Sequence, residues 1–305
     1  MTPPLSGRRR WWLQALVVLA ALTLLGLLVN NLTVNLIRTG LGLSFRWLSR
    51  PAGFALAEHP LPYAPSDSYA WALLMGWLNS LKVIVTGLIL ATLLGVSAGA
   101  ARRSANALLR WLAALYVGLI RQIPLLLQLL FWYFVAFLGL PSASEPLSPL
   151  PALLRLSNQG IELLGVPLSV EFSAVLVGLS VFSGAAIAEV VRGGLDAVPR
   201  GQWEAFRSLG LPEGFGLRRV ILPQALPAIL PGLSSQYLNL AKNSTLAIAV
   251  GYADLYAVSD TTITQTGRAI EGFLLLLLSF LLLNLLINGG MQLLNRVVVS
   301  GRHRP

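Results

Sequence analysis

The chain has 305 residues, of which 55% are hydrophobic and only 11% are charged, with a formal net charge of +10. Soluble globular domains carry roughly 25% charged residues, so this composition excludes an ordinary soluble protein and indicates a membrane protein. The sequence contains no cysteine, which excludes disulfides and thiol chemistry. Its two isolated histidines, His59 and His303, do not have the spacing of a zinc site.

Six stretches of the sequence are uncharged, or nearly so, and approach or exceed the length of about 20 apolar residues that a membrane-spanning helix needs. Two of them are interrupted by one charge each, Lys82 and Arg121. In chain order the six are Trp11–Val29, Leu73–Ala101, Trp111–Pro141, Phe172–Ala188, Val220–Ala241 and Gly272–Asn295. The sequence therefore predicts an all-α membrane protein with about six transmembrane helices.

The first apolar stretch follows Arg8–Arg10, a pattern that resembles the start of a signal peptide. A signal peptide has an apolar region of about 7–15 residues before a small-residue cleavage site. Here the apolar stretch is longer and ends in Asn30 and Asn31, which favours a retained helix.

The distribution of basic residues predicts the orientation, because inside loops are enriched in Lys and Arg. With the N-terminus inside and six alternating spans, 14 of the 22 basic residues fall inside and 5 fall outside. This bias favours both termini in the cytoplasm. The positive net charge then reflects topology, and no basic patch interleaved with aromatics suggests nucleic acid.

These spans divide the chain into four predicted regions. Residues 1–29 form a cytoplasmic tail with an N-terminal helix, 30–70 an outer loop, 71–296 the membrane core, and 297–305 a cytoplasmic tail. The two outer segments, Asn30–Tyr69 and Leu140–Glu171, are rich in Pro, Ser and Leu and predict loops or short helices over the membrane face.

Enzyme signatures in the sequence lack the context that they require. Gly95–Gly99 matches the GxSxG nucleophile elbow, but it ends a predicted membrane helix and has no histidine partner. Small residues four apart are typical of closely packed membrane helices, which is the favoured interpretation. Neither of the two lysines, Lys82 and Lys242, follows a glycine, so the chain has no P-loop, and a partner must bind any nucleotide.

Polar residues within the third predicted span form a first candidate site. Arg121, Gln122 and Pro124 interrupt it, and proline removes a backbone donor and kinks a helix. A charge within the membrane is costly and often functional. The alternatives are an arginine that reaches the outer headgroups or one that forms a structural pair.

The fifth predicted span carries a second group of polar residues far along its length. Lys242, Asn243, Ser244 and Thr245 either line a cavity or form hydrogen bonds between helices. Three prolines four residues apart, at positions 223, 227 and 231, share one face and predict a bend where this helix begins.

A polar segment between the fourth and fifth spans, Gly201–Pro223, predicts a short amphipathic helix over Gln202–Leu209. Gly210 is suited to end that helix, and Pro212 prevents its continuation. Its apolar face is predicted to hold Trp203, Phe206 and Leu209 or Gly210, with Glu204, Arg207 and Ser208 toward the other face. Such a helix could rest on lipid headgroups or dock into a groove of another protein.

The same segment resembles the signature loop of type I ABC importer permeases, EAAxxxG followed by nine residues and IxLP. Glu204, Ala205, Gly210, Leu222 and Pro223 match it, whereas Phe206 replaces an alanine and Val220 an isoleucine.

Further motifs resemble the polar amino acid permeases of the histidine/glutamine type, over about residues 69–296. They are Glu189–Gly194 followed by Gly201-Gln202, Arg121-x-x-Pro124-Leu125, and Lys242–Leu246 with Gly251 and Asp254-Leu255. The extra first helix and long outer loop resemble the general L-amino acid subgroup, which usually pairs two different permeases.

The resemblance implies a five-helix type I permease core, preceded by one extra helix and containing a cytoplasmic coupling helix within residues 192–223. It implies a second permease, an ATPase pair that binds ATP and Mg, and a periplasmic amino acid-binding protein. The chain itself would hold no cofactor, no metal and no catalytic residue. The implied ATPase-coupling residues are Gln202, Trp203, Glu204, Ala205, Phe206, Arg207, Ser208, Leu209 and Gly210.

The roles within this predicted coupling helix have open alternatives. Glu204 would contact the ATPase groove or a nearby loop arginine, and Gly210 would end the helix. Trp203 and Phe206 could fill the ATPase groove, or one of them could face the permease itself. The pathway candidates are Arg121, Gln122, Pro124, Lys242, Asn243, Ser244 and Thr245.

Two other classes of function compete with this interpretation. An ion-coupled secondary carrier or a channel for small polar solutes would not need a docking loop and often contains inverted repeats, which the sequence does not show. A membrane enzyme would need an acid/base pair, which the ionisable residues do not supply.

Overall fold

The computed structural model describes residues 7–38, 42–150 and 153–300; parts of both predicted tails (1–6 and 301–305) and of the outer loop (39–41) lie outside the described residues. The chain forms two compact units, Met1–Trp47 and Leu48–Pro305. The first unit contains helix α1, Gly7–Arg38. This helix continues past Val29, since neither glycine nor proline occurs between Val29 and Gly40.

The second unit is mainly helical. Its α-helices are α2 (Tyr69–Ala101), α3 (Ala107–Ile120), α4 (Leu125–Leu130), α5 (Val170–Asp196), α6 (Arg200–Ser208), α7 (Glu213–Gly216), α8 (Leu222–Asn243), α9 (Leu255–Thr266) and α10 (Ala269–Ser300). Wider π-helical turns continue α4 and precede α8, over Phe131–Phe137 and Leu217–Ile221, and 3₁₀ segments span Arg46–Ser49 and Ser244–Val250.

Within the described residues, four helices are long and apolar enough to cross a membrane. They contain Trp11–Asn35, Tyr69–Ala101, Val170–Asp196 and Ala269–Val297. A fifth span results if α3 and the Leu125–Phe137 helix count together, although they are bent by 105°. The predicted span Val220–Ala241 is largely the 22-residue helix α8, but α8 is not among the apolar candidates, so a sixth span stays a prediction.

The outer segment between α4 and α5 differs from its prediction. It forms a four-stranded antiparallel sheet of β1 (Leu147–Leu150), β2 (Leu154–Ser157), β3 (Gly160–Leu163) and β4 (Val166–Leu168), in the order β1-β2-β3-β4. The expectation of loops or short helices was wrong here. The β3–β4 turn uses positive φ angles at Leu164 (53°) and Gly165 (81°), a hairpin turn that Asn-Gly usually marks and Leu-Gly does not.

The other outer segment agrees with its prediction only in part. Its first residues, as far as Arg38, continue the long helix α1, whereas residues 42–68 form one 3₁₀ turn and irregular chain, in which Pro51 pairs with Ser68 as an isolated bridge. Ser68 also caps α2 by accepting a hydrogen bond from the amide of Trp71. The loop is thus fastened to the start of α2.

The largest helix interface of the second unit joins α2 to α5. A Cβ added at Gly95 would lie 2.5 Å from the Cβ of Ile187, and one at Gly99 would lie 2.7 Å from the Cβ of Val191. These glycines let the two backbones approach closely, which confirms the packing interpretation of the GxSxG match. The motif lies inside one continuous helix, which excludes the strand–turn–helix of a nucleophile elbow.

We expect Gly95→Ala to destabilise the protein, because an added methyl group would overpack the α2–α5 interface at a cost of about 1–3 kcal/mol. Thermal unfolding in detergent measures this as a lower Tm. Gly118→Ala in α3 is the matched control, since nothing lies within 4 Å of an added Cβ there. Equal Tm values for the two variants would contradict the packing role of Gly95.

The sheet and α6 lie at opposite ends of the membrane-spanning helix α5, since β4 precedes it and α6 follows it. In this cysteine-free sequence, we therefore expect Ser148→Cys and Ser208→Cys to react with an impermeant maleimide from opposite sides of the membrane. Both serines are exposed. Labelling of both from the same side would contradict the topology.

Candidate functional site

Helix α6 has the boundaries that its sequence predicts to within two residues. It covers Arg200–Ser208 and begins after Pro199. At its end, the Gly210 amide donates to the Arg207 carbonyl at 2.9 Å, and the Leu211 amide donates to the Phe206 carbonyl at 3.3 Å. With Gly210 at φ +69°, this is the Schellman arrangement, which satisfies carbonyls at a helix end. Gly210 therefore ends α6, as its sequence predicts.

The aromatic side chains of α6 face the chain's own body. Trp203 is 9% exposed and Phe206 is 2% exposed, and both belong to the main apolar core of the protein. The Arg103 guanidinium lies 4.6 Å from the Trp203 ring centroid, a cation–π arrangement. The alternative in which both aromatics fill a groove of another protein is excluded in this conformation.

A glycine opposite Phe206 explains why a large residue fits at this position. A Cβ added at Gly216 of α7 would overlap the Phe206 ring. The segments that carry these two residues, α6 and α7, pack together. Phe206 and Gly216 therefore form a complementary large–small pair that holds α6 against α7.

Leu209 does not share the buried face, contrary to the prediction. It is 74% exposed, because α6 ends at Ser208 and Leu209 at the C-cap leaves the helical periodicity. The exposed part of the segment also includes Gln202, Glu204, Ala205, Arg207, Ser208 and Gly210.

Two of the exposed polar residues are held by neighbours. Gln202 accepts a hydrogen bond from Gln224 at 3.0 Å, and Arg207 pairs with Glu213 at 3.0 Å. Among the described residues, none pairs with the carboxylate of Glu204, including the loop arginines that the sequence suggested. Glu204 thus leaves an uncompensated negative charge on the outward face of α6.

An ion-pair network ties α6 to the inner ends of α2 and α5. Asp196 of α5 pairs with Arg103, which covers Trp203, and with Arg192 at 2.7 Å. Glu189, about two helical turns before the end of α5, pairs with Arg192 at 2.9 Å and with Arg102 at the end of α2. Sequence reasoning missed these pairs, since no local pattern relates α2 to α5.

The break between α3 and α4 lies at Arg121, Gln122 and Pro124, as predicted. The Arg121 guanidinium is 3.9 Å from the Glu189 carboxylate, which favours the structural pair over an arginine that reaches the outer headgroups. Gln122 and Pro124 are exposed. The side-chain amide of Gln128 donates to the carbonyls of Ile120 and Ile123, at 2.8 and 2.9 Å. Gln128, which sequence reasoning did not single out, satisfies backbone groups that the break sets free.

The second group of candidates lies where α8 changes into the 3₁₀ segment Ser244–Val250. The hydroxyls of Ser244 and Thr245 donate to the carbonyls of Ala241 and Lys242 in the last turn of α8, at 2.9 and 2.8 Å, rather than to a different helix. Lys242 is exposed and Asn243 is half-buried. Neither side chain has a hydrogen-bond or ion-pair partner among the described residues. The 3₁₀ segment packs against α4, so the two candidate groups are on neighbouring segments.

The outer end of α2 holds a third polar cluster, which sequence reasoning missed. Lys82 pairs with Glu58 of the outer loop and lies 4.1 Å from the Phe172 ring centroid. The other oxygen of Glu58 accepts a hydrogen bond from Ser169 at 2.5 Å. The Asn79 amide donates to the carbonyls of Glu58 and Ala253, both at 2.8 Å. Glu58 thus fastens the outer loop to α2 and α5.

Asp254 caps α9 near this cluster and is almost fully buried. Burial raises its pKa to about 7, although its hydrogen bonds from the Ala257 and Tyr256 amides act in the opposite direction.

No group of three or more metal-ligating side chains occurs in the part of the chain that the structure describes.

Comparison with known proteins places these features in a family. Residues 87–299 match the family described as binding-protein-dependent transport system inner membrane component. The chain is 33% identical to the putative amino-acid ABC transporter permease protein YhdX of Escherichia coli strain K12, over 94% of this chain and 93% of that protein. It is also 33% identical to the general L-amino acid transport system permease protein AapQ of Rhizobium johnstonii, over 79% of this chain and 80% of that protein.

A solved structure shares the fold. It is described as the crystal structure of an amino acid ABC transporter with histidines, and it is 27% identical with a TM-score of 0.58. The match covers 75% of this chain and 94% of that chain.

We expect Gly216→Ala to loosen α6, because the added methyl group would displace the Phe206 ring. Hydrogen–deuterium exchange should then show faster exchange of the α6 amides. Gly214→Ala in the same short helix is the control, since an added Cβ meets nothing within 4 Å there. Equally fast exchange in the two alanine variants, at 214 and at 216, would contradict the pair.

Proposed function

Because the chain belongs to the family of binding-protein-dependent transport system inner membrane components, we propose that it carries amino acids through the inner membrane, driven by ATP hydrolysis on a partner. The chain is a permease subunit of an ABC importer and not an enzyme, as its sequence predicts. The names of its relatives, which mention amino-acid transport, support the substrate class. This membership speaks against an ion-coupled carrier or a channel.

The observation that carries the proposal is that one face of α6 is buried against the chain itself and the opposite face is exposed. Its inner face is fixed by Trp203 and Phe206, whereas its outer face presents Glu204, Ala205 and Ser208. A helix that is attached to its own protein on one side and open on the other suits a coupling helix that receives an ATPase. Glu204 supplies a charge that a basic residue of the ATPase groove can meet.

The ion-pair network provides a route by which motion of α6 reaches the membrane helices. A displacement of Trp203 acts on Arg103 and, through Asp196 and Arg192, on Glu189. Glu189 in turn faces Arg121 at the break between α3 and α4. The two ion pairs of Asp196 are exposed, and exposed ion pairs contribute little stability individually, so this part of the network can rearrange at low cost.

We place the translocation pathway beside this break and the end of α8. Lys242 and Asn243 have no partner among the described residues, so they are available to a passing solute. The ammonium group of Lys242 attracts the carboxylate that all amino acids share. Arg121, Gln122 and Pro124 shape the break, and Ser244 and Thr245 stabilise the helix end through their own backbone.

The partners follow from the same proposal. An ATPase pair binds ATP and Mg on the cytoplasmic side, a second permease completes the pathway, and a periplasmic binding protein delivers the amino acid. The family name supports a binding protein, and the resemblance to the general L-amino acid subgroup supports two different permeases. Both termini then lie in the cytoplasm, consistent with the bias of Lys and Arg.

We expect Glu204→Lys to reduce amino-acid uptake roughly tenfold or more, because a like charge would meet the basic ATPase groove. Uptake and ATP hydrolysis are measured in proteoliposomes that contain the complete transporter. Size-exclusion chromatography should show that the complex still assembles.

The matched control for this experiment is Glu145→Lys, which makes the same charge change at an exposed glutamate before β1. It should leave both uptake and ATP hydrolysis within twofold of the unsubstituted protein. Normal uptake by the Glu204→Lys variant would exclude the coupling role of this face.

A further inference from the structure

A strongly basic pocket lies among the inner ends of α2, α3 and α5 and the start of α6. Its volume is about 580 Å³. Its charged lining residues are Arg102, Arg103, Arg110, Arg192, Arg200 and Asp196. Five guanidinium groups thus face one carboxylate.

Two of these guanidinium groups have no carboxylate partner among the described residues. Arg102, Arg103 and Arg192 pair with the two carboxylates of Glu189 and Asp196. By contrast, Arg110 donates to the Ser104 carbonyl at 2.7 Å, which leaves its charge uncompensated, and Arg200 pairs with no side chain in the described part of the chain. The pocket therefore retains a positive charge that an anion can balance.

The position of the pocket favours a lipid as the source of that anion. It lies where the membrane-spanning helices α2 and α5 end, and the ends of spanning helices are where phospholipid headgroups are expected. Basic pockets between transmembrane helices on the cytoplasmic side bind anionic lipid headgroups. Depth alone does not distinguish a lipid from a soluble phosphate, but the adjoining surface does.

Helix α3 provides that apolar surface. Its residues Arg110 and Ala114 line the pocket. Trp111, the residue after Arg110, is 59% exposed, and tryptophan prefers the interface between headgroups and hydrocarbon. Exposed leucines, among them Leu108 and Leu112, cover other sides of the same helix and suit acyl chains. A ligand with a phosphate and a hydrocarbon tail thus matches the pocket and its surroundings together.

We propose that this pocket binds the phosphate headgroup of an anionic phospholipid, with its acyl chains against α3. Arg110 and Arg200 hold the phosphate. The pocket is also lined by Trp203, the inward anchor of α6, so a bound headgroup contacts the helix that faces the ATPase. Lipid binding at this site is separate from amino-acid transport and does not depend on the substrate.

The test is native mass spectrometry of the complete transporter in detergent, titrated with dioleoyl phosphatidylglycerol and, separately, dioleoyl phosphatidylcholine. We expect preferential phosphatidylglycerol binding, weakened roughly 30-fold by the double substitution Arg110→Gln/Arg200→Gln, since each basic residue near an anionic surface contributes about a fivefold factor. Equal binding of the two lipids would overturn the proposal.

Two further variants separate the site from general charge effects and from misfolding. Arg218→Gln/Arg219→Gln removes two exposed arginines from the segment after α7, outside the pocket, and should bind phosphatidylglycerol like the unsubstituted protein. Arg110→Lys/Arg200→Lys keeps both charges and should retain most of the affinity. An equal loss in both glutamine pairs, or a lost affinity in the lysine pair, would contradict the site.

The same titration distinguishes the lipid from two other possible occupants of the pocket. Displacement of phosphatidylglycerol by an equal concentration of inorganic phosphate would assign the pocket to a soluble anion. Phosphatidylglycerol binding that occurs only after removal of the ATPase would assign the pocket to a protein contact. Either result would overturn the lipid proposal.

Discussion

The close approach of α2 and α5 is the constraint on which the rest of the structure depends. Gly95 and Gly99 remove side-chain bulk opposite Ile187 and Val191, so the helices touch along their inner halves. Lipid gives helices little hydrophobic reason to associate, and close packing of small residues supplies the contact instead. That contact brings Arg102 and Arg103 to Glu189 and Asp196 and so creates the network beside α6.

The same constraint explains how α6 can be both fixed and accessible. Trp203 lies against Arg103 at the end of α2, and Phe206 lies against Gly216 of α7. Both aromatic side chains are buried by contacts within the chain, so the outward face of α6 carries small and polar residues. Phe206 is therefore accommodated by the absence of a side chain at Gly216, ten residues further along.

Ion pairs form at both ends of α5, but the balance of positive and negative side chains differs between the two ends. At the outer end, Lys82 and Glu58 are paired and fasten a loop, and at the inner end several arginines share two carboxylates. Unpaired charges in lipid are costly, so pairing is expected wherever no other role requires a free group. Lys242 and the basic pocket depart from this rule, and for that reason they are the places where a solute and a lipid are proposed.

The sequence by itself determined the membrane class, most of the spans, the limits of α6 and the break at Pro124, because uncharged runs, glycine and proline act locally. It also identified the packing role of Gly95 and Gly99. It did not determine the outer sheet, whose short strands and Leu-Gly turn carry weak signals, or whether the aromatic face of α6 packs against the chain itself or against a partner. The pairs Lys82–Glu58 and Arg102–Glu189 were likewise decided by tertiary structure. Their partners are 24 and 87 residues apart, and only the packing of α2 against its neighbours brings them within reach.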